Sequence, residues 1–276
     1  MKKAVEVQQK MKVARNPNTE VVNGVTFELR PFSRQLSNPE WVCLRKPRRF
    51  VSRYRAMAPE FQGCNMVEVG IDQGGSTSFF SKLFQPKALL AIDLANIPLP
   101  ELTKFLDEHD EERRVKVHLG VDQADHVVVP RLVEDLFGNQ PLDIVIDDAS
   151  HLLDPTTATF EMLFPRLRRG GLYVIEDWTG DHIMERQLNL EVAANPDGEL
   201  AARIAAVQDY EHRMPTSFLI CQLLVAAARN PDWVAGIHAT AGIVEIRRGN
   251  ADIEPGTAIS SYLGDVGRWM FDRLKV

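Results

Sequence analysis

The sequence predicts an α/β fold in which a doubly wound, mostly parallel sheet of seven strands ends in an antiparallel hairpin. First, short Val/Ile/Leu-rich segments recur at regular intervals after residue 64. Second, helical stretches separate the first five of these segments, which is the pattern of right-handed βαβ units. Third, the last two segments follow one another after a short turn, as the strands of a hairpin do.

Each element has its own sequence signal. The predicted strands are 65–70, 88–93, 115–121, 142–147, 171–177, 233–240 and 242–249. The predicted helices of the sheet region are 76–84, 101–110, 128–138 and 157–170, followed by 199–213 and 217–230. Continuous apolar strands bounded by polar residues indicate a sheet that is covered on both faces, so the arrangement is Rossmann-like.

We expect three parts along the chain. Residues 1–60 are polar, with weak periodicity, and form an arm or lid that includes an amphipathic helix within 45–61. Residues 61–250 form the α/β domain, with a helical insertion near 179–217. Residues 251–276 form a tail that packs back onto the domain.

The composition is that of a folded, acidic chain. It has 276 residues, 45% of them hydrophobic, a net charge of -6 and a pI near 5.7, so nucleic acid and anionic membrane are poor partners. The N-terminal twenty residues lack the apolar region of a signal peptide, and the three cysteines show no CxxC spacing. We therefore expect a cytoplasmic protein that binds neither nucleic acid nor membrane. An arm with little core of its own often orders against a second copy, so we also expect a homo-oligomer.

A glycine-rich loop follows the first strand of the sheet and opens the first helix. In VEVGIDQGGSTSFF, Gly70, Gly74 and Ser76 lie where backbone N–H groups and the helix dipole receive a ligand. The dinucleotide spacing G-x-G-x-x-G is absent, and Asp72 would repel a pyrophosphate. Together with Glu68, this carboxylate favours a ligand with a cationic part, such as an amino acid group or a sulfonium.

Polar residues also follow the second and third strands. Asp93 lies near the spacing of an acid that accepts both hydroxyls of a ribose. Asp122 and Gln123 follow the third strand, where a carboxylate or an amide can hold an adenine edge. Each signal is weak alone because strand-end acids often cap helices, but in this order they favour a nucleoside with a positive tail.

The motifs E-x-G-x-x-x-G-G-S, I-D-L and G-x-D-Q, in this order, resemble the class I S-adenosylmethionine-dependent methyltransferases. The hairpin agrees, since that fold typically finishes its sheet with an antiparallel strand. The resemblance implies S-adenosylmethionine as cofactor. The contacts that it implies are Gly70, Gly74 and Ser76 along the methionine portion, Asp93 on the ribose, and Asp122 and Gln123 near the adenine.

Acidic side chains follow the fourth and fifth strands. Asp147, Asp148 and His151 come after one strand, and Glu176 and Asp177 come after the next. Because carboxyl ends of parallel strands meet at one edge of a sheet, we expect one site. Carboxylates at this density repel unless a cation intervenes, and a hard divalent ion such as Mg²⁺ meets that need. Imidazole is the side chain that most often accepts a proton near neutral pH, so His151 is the candidate base for an attacking alcohol.

The segments I-D-D-A-S-H and G-G-L-Y-V-I-E-D-W resemble a narrower group, the metal-dependent sugar O-methyltransferases. This group includes mycinamicin-type macrolide-sugar enzymes and glucosylglycerate methyltransferase, and the resemblance covers about residues 65–180. It implies methyl transfer to a hydroxyl of a sugar or glycoside, with His151 as base and Asp147 behind the metal ligands or facing the cofactor. The implied metal ligands are Asp148, Glu176 and Asp177.

Several alternatives stay open at this point. Trp178 and His182 suit a sugar acceptor, but ordinary packing explains them equally well. Both acidic clusters could cap the helices that follow them. Three other functions are also possible for this sequence. An NAD(P)-dependent oxidoreductase would have the same fold, and a non-haem iron oxygenase would also use carboxylate and histidine ligands. A non-catalytic nucleotide-binding module would have the fold but would leave the acidic residues unexplained.

Overall fold

A computed structural model describes residues 18–31, 37–38, 40–110, 112–195 and 214–273. The predicted helix at 199–213 lies outside these ranges. The described part contains one sheet of seven strands and one of three strands. Within these ranges, none of the helices combines the length and the apolar character that spanning a bilayer requires.

The seven-stranded sheet confirms the predicted fold class. Its strands are Asn65–Val69 (β4), Ala88–Asp93 (β5), Val115–Leu119 (β6), Leu142–Asp147 (β7), Leu167–Glu176 (β8), Val234–Ala239 (β9) and Ile243–Arg248 (β10). Their order is β6-β5-β4-β7-β8-β10-β9. The first five strands in this order run parallel, and β10 pairs antiparallel with both β8 and β9. This order places the ends of β7 and β8 side by side, next to the end of β4.

Helices cover both faces of this sheet. They are Arg48–Met57 (α1), Gly75–Leu83 (α2), Pro100–His109 (α3), Val128–Phe137 (α4), Leu153–Leu163 (α5), Gly180–Ala194 (α6), Ser217–Arg229 (α7) and Ser260–Asp272 (α8). On one face, the Phe164 ring packs edge-on to Trp233 with 5.5 Å between centroids. On the other face, Tyr54 of α1 packs on Phe80 of α2. Aromatic packing of this kind makes the sheet a rigid support for the loops at its carboxyl edge.

The N-terminal region contains strands that its weak periodicity did not predict. They are Thr19–Val22 (β1), Val25–Leu29 (β2) and Val42–Leu44 (β3), and they form the small sheet. Asn23 and Gly24 both have positive φ and make the turn of the first hairpin, as Asn-Gly pairs do. Phe27 is fully buried and meets the ring of Phe79 in α2 at 5.4 Å. This region is therefore packed into the core of the described structure.

The predicted helix at 157–170 was wrong at its C-terminal end. The α-helix ends at Leu163, a single 3-10 turn containing Pro165 follows, and β8 already begins at Leu167. Pro165 has no backbone N–H to continue the helix, and Leu167 turns to extended backbone beside β7. The remaining strand and helix predictions in the described ranges agree to within a few residues.

The C-terminal region packs on α7 through α8. The ring of Phe271 is buried and meets Phe218 at 5.1 Å, whereas Trp269 is 58% exposed. The division into residues 1–60, 61–250 and 251–276 stays a prediction.

Candidate active site

The candidate site lies at the carboxyl edge of the sheet, where the loops after β4, β7 and β8 meet. The close fit of these loops explains why residue 70 is a glycine. A Cβ on Gly70 would approach the carbonyl oxygen of Asp148 to 2.4 Å, so a side chain has no room there. The backbone N–H of Asp148 donates to the carbonyl of Val69, which fastens the loop after β7 to the end of β4. The predicted cofactor loop and the acidic loop are thus in direct contact.

The other end of the cofactor loop is fixed by its packing. A Cβ on Gly75 would meet the carbonyl oxygen of Cys43 at 2.0 Å, and one on Gly74 would meet Leu102 at 2.6 Å. Gly74 also has φ 80° and precedes α2. Its conformation therefore depends on glycine, while Ser76 lies in the first turn of α2 and is partly exposed.

Asp93 braces the cofactor loop. Its Oδ2 atom accepts hydrogen bonds from the backbone N–H groups of Ile71 and Asp72, at 2.8 and 3.0 Å, and Oδ1 accepts one from Ala95. The carboxylate oxygens keep further lone pairs for a ligand. The predicted ribose contact stays a prediction, and the geometry adds that Asp93 shapes the loop. Asp72 forms an ion pair with Arg45.

Gln123 faces inward rather than towards an open cofactor surface. Its Nε2 donates to the hydroxyl of Thr159 at 2.9 Å, and its Oε1 accepts from the backbone N–H of Ser150 at 3.0 Å. The side chain thereby supports the loop that carries Asp148 and His151. Its predicted adenine contact is not favoured by this geometry. The other predicted adenine residue, Asp122, accepts a bond from the N–H of Ala124 and stays exposed.

Asp147 belongs to the same buried support. Only 2% of its surface is exposed, and it accepts a hydrogen bond from the Tyr173 hydroxyl at 3.0 Å. Burial raises the pKa of Asp147 to about 7, and the hydrogen bond from Tyr173 opposes this rise. Asp147 therefore lies behind the loop after β7, and its predicted place behind the metal ligands or facing the cofactor stays a prediction.

Asp148, His151 and Asp177 converge at the surface of the site. One oxygen or nitrogen atom of each lies within 4.8 Å of the others. The Nε2 atom of His151 is 3.8 Å from Oδ1 of Asp148. Burial and the neighbouring Asp148 raise the pKa of Asp177 above its ordinary value. The donor set fits a divalent cation, because hard ions favour carboxylate oxygens and accept imidazole nitrogen.

The backbone presents this set in a strained conformation. His151 and Asp177 have φ of 54° and 50°, a region that residues other than glycine seldom adopt. Two bonds hold them there. The Thr216 hydroxyl donates to the carbonyl of His151 at 2.7 Å, and the N–H of Asp177 donates to the carbonyl of Gly242 at 2.6 Å. Strain that the surrounding structure maintains is a mark of functional loops.

Glu176 is turned away from this surface set. It is 1% exposed, and its Oε1 atom accepts bonds from the ammonium of Lys46, at 2.6 Å, and from the Tyr54 hydroxyl. Lys46 also bonds Oδ2 of Asp148 at 2.9 Å. Its predicted metal ligation thus stays a prediction, and the structure groups Asp148 and Asp177 with His151 instead. Burial and Asp148 raise the pKa of Glu176, and Lys46 opposes this rise.

Glu68 is the second buried acid near Lys46. It is 1% exposed, and burial raises its pKa to about 7, although the hydroxyls of Ser76 and Thr77 and the charge of Lys46 lower it. Its Oε2 atom has no hydrogen-bond partner in the structure. The side chain therefore lies beneath the start of α2, under the cofactor loop.

The two predicted substrate residues have partners within the chain. The indole N–H of Trp178 donates to the carbonyl of Thr240 at 2.9 Å, and Nε2 of His182 is 2.7 Å from the hydroxyl of Ser217. Both lie beyond the end of β8, on the side of the site that carries Asp177. Contact with an acceptor stays a prediction for both residues.

Sequence reasoning missed Lys46, Tyr54 and Thr216. Lys46 lies in the basic run RKPRR, at the start of the segment predicted to contain an amphipathic helix. In the structure, Arg48 and Arg53 form ion pairs with Glu20 and Glu245. No local motif distinguishes Lys46 from its neighbours, so its role depends on contacts with residues more than 100 positions away.

Comparisons with known proteins indicate a methyltransferase domain. The sequence model of a methyltransferase domain family matches residues 67–178. The 8-demethyl-8-alpha-L-rhamnosyl tetracenomycin-C 2'-O-methyltransferase of Streptomyces olivaceus is 34% identical over 120 residues, 41% of this chain and 28% of that relative. The mycinamicin VI 2''-O-methyltransferase of Micromonospora griseorubida is 36% identical over 126 residues, 43% of this chain and 28% of that relative.

A solved structure shows a more distant likeness. The MycE methyltransferase from the mycinamycin biosynthetic pathway, in complex with Mg, SAH and mycinamycin VI, is 23% identical with a TM-score of 0.48. The match covers 73% of this chain and 48% of that one. The chain spans only 28% of the two curated relatives, so those similarities concern the domain. Residues 67–178 therefore match a methyltransferase domain and are similar to mycinamicin-type sugar O-methyltransferases, in agreement with the resemblance found in the sequence.

Proposed function

We propose that this protein is an S-adenosylmethionine-dependent, Mg²⁺-dependent O-methyltransferase that acts on a hydroxyl of a sugar or glycoside. The observation that carries the proposal is the convergence of Asp148, His151 and Asp177 within 4.8 Å, beside the glycine-rich loop that the backbone of Asp148 touches. The methyltransferase domain and its sugar-modifying relatives support methyl transfer over hydride transfer. They also support a glycosylated small molecule as the acceptor.

The metal-binding residues in this proposal are Asp148 and Asp177. Mg²⁺ usually binds proteins through one or two carboxylates and keeps several waters, so these two residues suffice. A bound divalent ion supplies positive charge that stabilises an alcohol oxygen as it loses its proton. Asp148 and Asp177 orient the acceptor hydroxyl indirectly, because they fix where that charge lies.

His151 is the general base in this proposal. Its Nε2 atom lies 3.8 Å from Oδ1 of Asp148 and is partly exposed, so it can reach an alcohol held at this surface. As the alcohol oxygen bonds to the methyl carbon, the bond from that carbon to sulfur breaks and its electron pair returns to the sulfur. The hydroxyl proton passes to His151, and the products are a methyl ether and S-adenosylhomocysteine.

The remaining predicted roles complete the proposal. Gly70, Gly74 and Ser76 line the cofactor, and Asp93 holds the ribose while it braces the loop. The cofactor's positive sulfonium suits a site that carries more acids than bases. We also propose a cytoplasmic setting, in agreement with three cysteines that form no disulfide: Cys43, Cys64 and Cys221.

Two measurements test the proposal. Titration calorimetry should show micromolar binding of S-adenosylhomocysteine and no comparable binding of NADH. A panel of glycosides and sugar acids, incubated with S-adenosylmethionine, should yield a methylated product that Mg²⁺ supports and EDTA abolishes. Binding of NADH alone would favour the oxidoreductase. Full turnover in EDTA would refute the metal assignment, and cofactor binding without turnover on any acceptor would favour a non-catalytic module.

A further inference from the structure

Lys46 is a buried cation at the centre of the acidic site. Its side chain is 3% exposed, and its ammonium bonds Glu176 at 2.6 Å and Asp148 at 2.9 Å. The ammonium thus lies between two carboxylates and forms an ion pair with each of them. Its ring contact with Phe80, at 5.7 Å, closes the inner side of the site.

The position of Lys46 is fixed by structure on both sides. Lys46 lies two residues after Leu44, the last residue of β3, and two residues before Arg48, the first residue of α1. Leu44 is fully buried, so the chain on either side of Lys46 belongs to packed elements. The Tyr54 hydroxyl of α1 bonds the same oxygen of Glu176 that Lys46 bonds. The N-terminal region thus supplies a charge and a hydrogen bond to the end of β8.

Lys46 divides the acids of the site into two groups. Lys46 and Tyr54 both bond Oε1 of Glu176 from the inner side. Asp148 gives Oδ2 to Lys46 and keeps Oδ1 on the side of His151. Asp177 has no contact with Lys46 as short as these and lies at the surface with His151. One oxygen of Asp148 and the carboxylate of Asp177 thus remain for an added ion.

We propose that Lys46 is a built-in cation which occupies the inner half of the carboxylate cluster and excludes Glu176 from metal ligation, so that a divalent ion binds at Asp148 and Asp177. This inference deepens the proposed function and rests on it for the identity of the ion. The positive charge of Lys46 lies beside the metal position and repels a divalent ion that binds there. Lys46 therefore sets the metal affinity below the value that three free carboxylates would give.

The test is a binding measurement that requires no turnover. Mn²⁺ is titrated into the full chain, and electron paramagnetic resonance reports the free hydrated ion. In Lys46→Met the repulsion is gone and Glu176 becomes available, so we expect binding at least about tenfold tighter than in the unsubstituted protein. Lys104→Met is the matched control, because it removes the same charge at a 65% exposed position, and we expect an unchanged affinity.

A second substitution tests whether Glu176 is the ligand that Lys46 withholds. Glu176→Gln alone should change the Mn²⁺ affinity by less than about threefold, because Lys46 already occupies this carboxylate. In Lys46→Met/Glu176→Gln most of the gain should disappear. This non-additivity distinguishes a role in metal binding from a general effect on folding, which the unfolding temperature of each variant monitors.

Each outcome decides the inference. Equal or weaker Mn²⁺ binding in Lys46→Met would overturn it, and so would a tenfold loss of affinity in Glu176→Gln alone. If Lys46→Met does not fold, Lys46→Gln tests the loss of the positive charge, because its amide is neutral; we expect tighter Mn²⁺ binding there too, and equal or weaker binding would overturn the inference. Methyl transfer by the unsubstituted protein, together with an unchanged affinity in these variants, would refute this inference and leave the proposed function intact.

Discussion

The two acidic pairs at the ends of β7 and β8 have the same layout, with one buried and one outward acid in each. Asp147 and Glu176 end their strands and are 2% and 1% exposed. Asp148 and Asp177 come one residue later and reach the surface near His151. Each outer acid lies just past the end of its strand, where the chain leaves the sheet, so the two acids of a pair point to different surroundings. The inner acids support the loops, and the outer acids keep carboxylate oxygens for a ligand.

This difference gives adjacent carboxylates separate tasks. The inner acids find their partners within the fold, Tyr173 for Asp147 and Lys46 and Tyr54 for Glu176. A buried acid with satisfied hydrogen bonds fixes the strand end from which the outer acid projects. Substitutions of outer residues should therefore affect chemistry first, and substitutions of inner residues should affect stability first.

The largest effect is expected for Asp148→Ala. It removes an outer carboxylate that the proposed metal site requires, so the rate of methyl transfer should fall by about a thousandfold or more. Calorimetry should show that S-adenosylhomocysteine still binds within about threefold of the original affinity, because Asp148 is no cofactor ligand in this account. Full turnover in this variant would contradict the proposal that the outer acids carry the chemistry.

His151→Ala should lower the rate next most. Loss of a general base typically costs about 10²–10⁴ in rate, and hydroxide replaces the base as pH rises. The pH profile of turnover should thus show a large deficit at pH 7 that narrows towards high pH. A deficit that stayed constant across the pH range would point to His151 as a metal ligand instead of the base.

Much of the sheet could be predicted from the sequence because its strands are continuous apolar runs. The run Leu142–Asp147 is an example, since a central parallel strand needs apolar residues on both faces. The N-terminal hairpin was missed although it carries the Asn23-Gly24 turn and strands of four and five residues. It precedes the regular succession of strands and helices after residue 64, from which the other strands were recognised.

The outer acids and His151 could also be predicted, because strand-end position alone places them at the carboxyl edge. The division of the cluster could not. It depends on Lys46, which reaches Asp148 and Glu176 across 102 and 130 positions. Gln123 illustrates the same limit, since its amide is oriented by hydrogen bonds to Thr159 and Ser150, which are 36 and 27 positions away.

Asp147→Asn tests the inner half of the comparison through stability. Burial raises the pKa of Asp147 from 3.8 to about 7, so the folded state holds its proton more tightly than the unfolded state. Its contribution to stability is therefore full below about pH 4 and is lost as pH rises through 7.

The asparagine variant cannot ionise, so urea unfolding should show a smaller loss of stability between pH 5 and 8. Buried Glu68 has a pKa raised to about 7 in the same direction, so part of the pH dependence should remain. Turnover at pH 7 should change by less than about tenfold. A thousandfold loss of turnover would mean that Asp147 takes part in the chemistry, as the outer acids are proposed to do.

Thr216→Val should have the smallest effect. It removes the hydroxyl that donates to the carbonyl of His151, a bond of 2.7 Å, while the shape of the side chain is kept. Loss of one such bond costs about 1 kcal/mol, which corresponds to a severalfold fall in turnover if His151 loses its fixed position. The fall should appear in kcat rather than KM. Unchanged kcat would mean that the strained backbone of His151 is held by other contacts.

The most direct test of the division between inner and outer acids is the position of a bound ion. Crystals grown with Mn²⁺ and S-adenosylhomocysteine can be measured at the manganese absorption edge. We expect one anomalous peak about 2.1 Å from a carboxylate oxygen of Asp148 and of Asp177, with Lys46 still bonded to Glu176. A peak coordinated by Glu176 with Lys46 displaced, or no peak at these acids, would contradict the account.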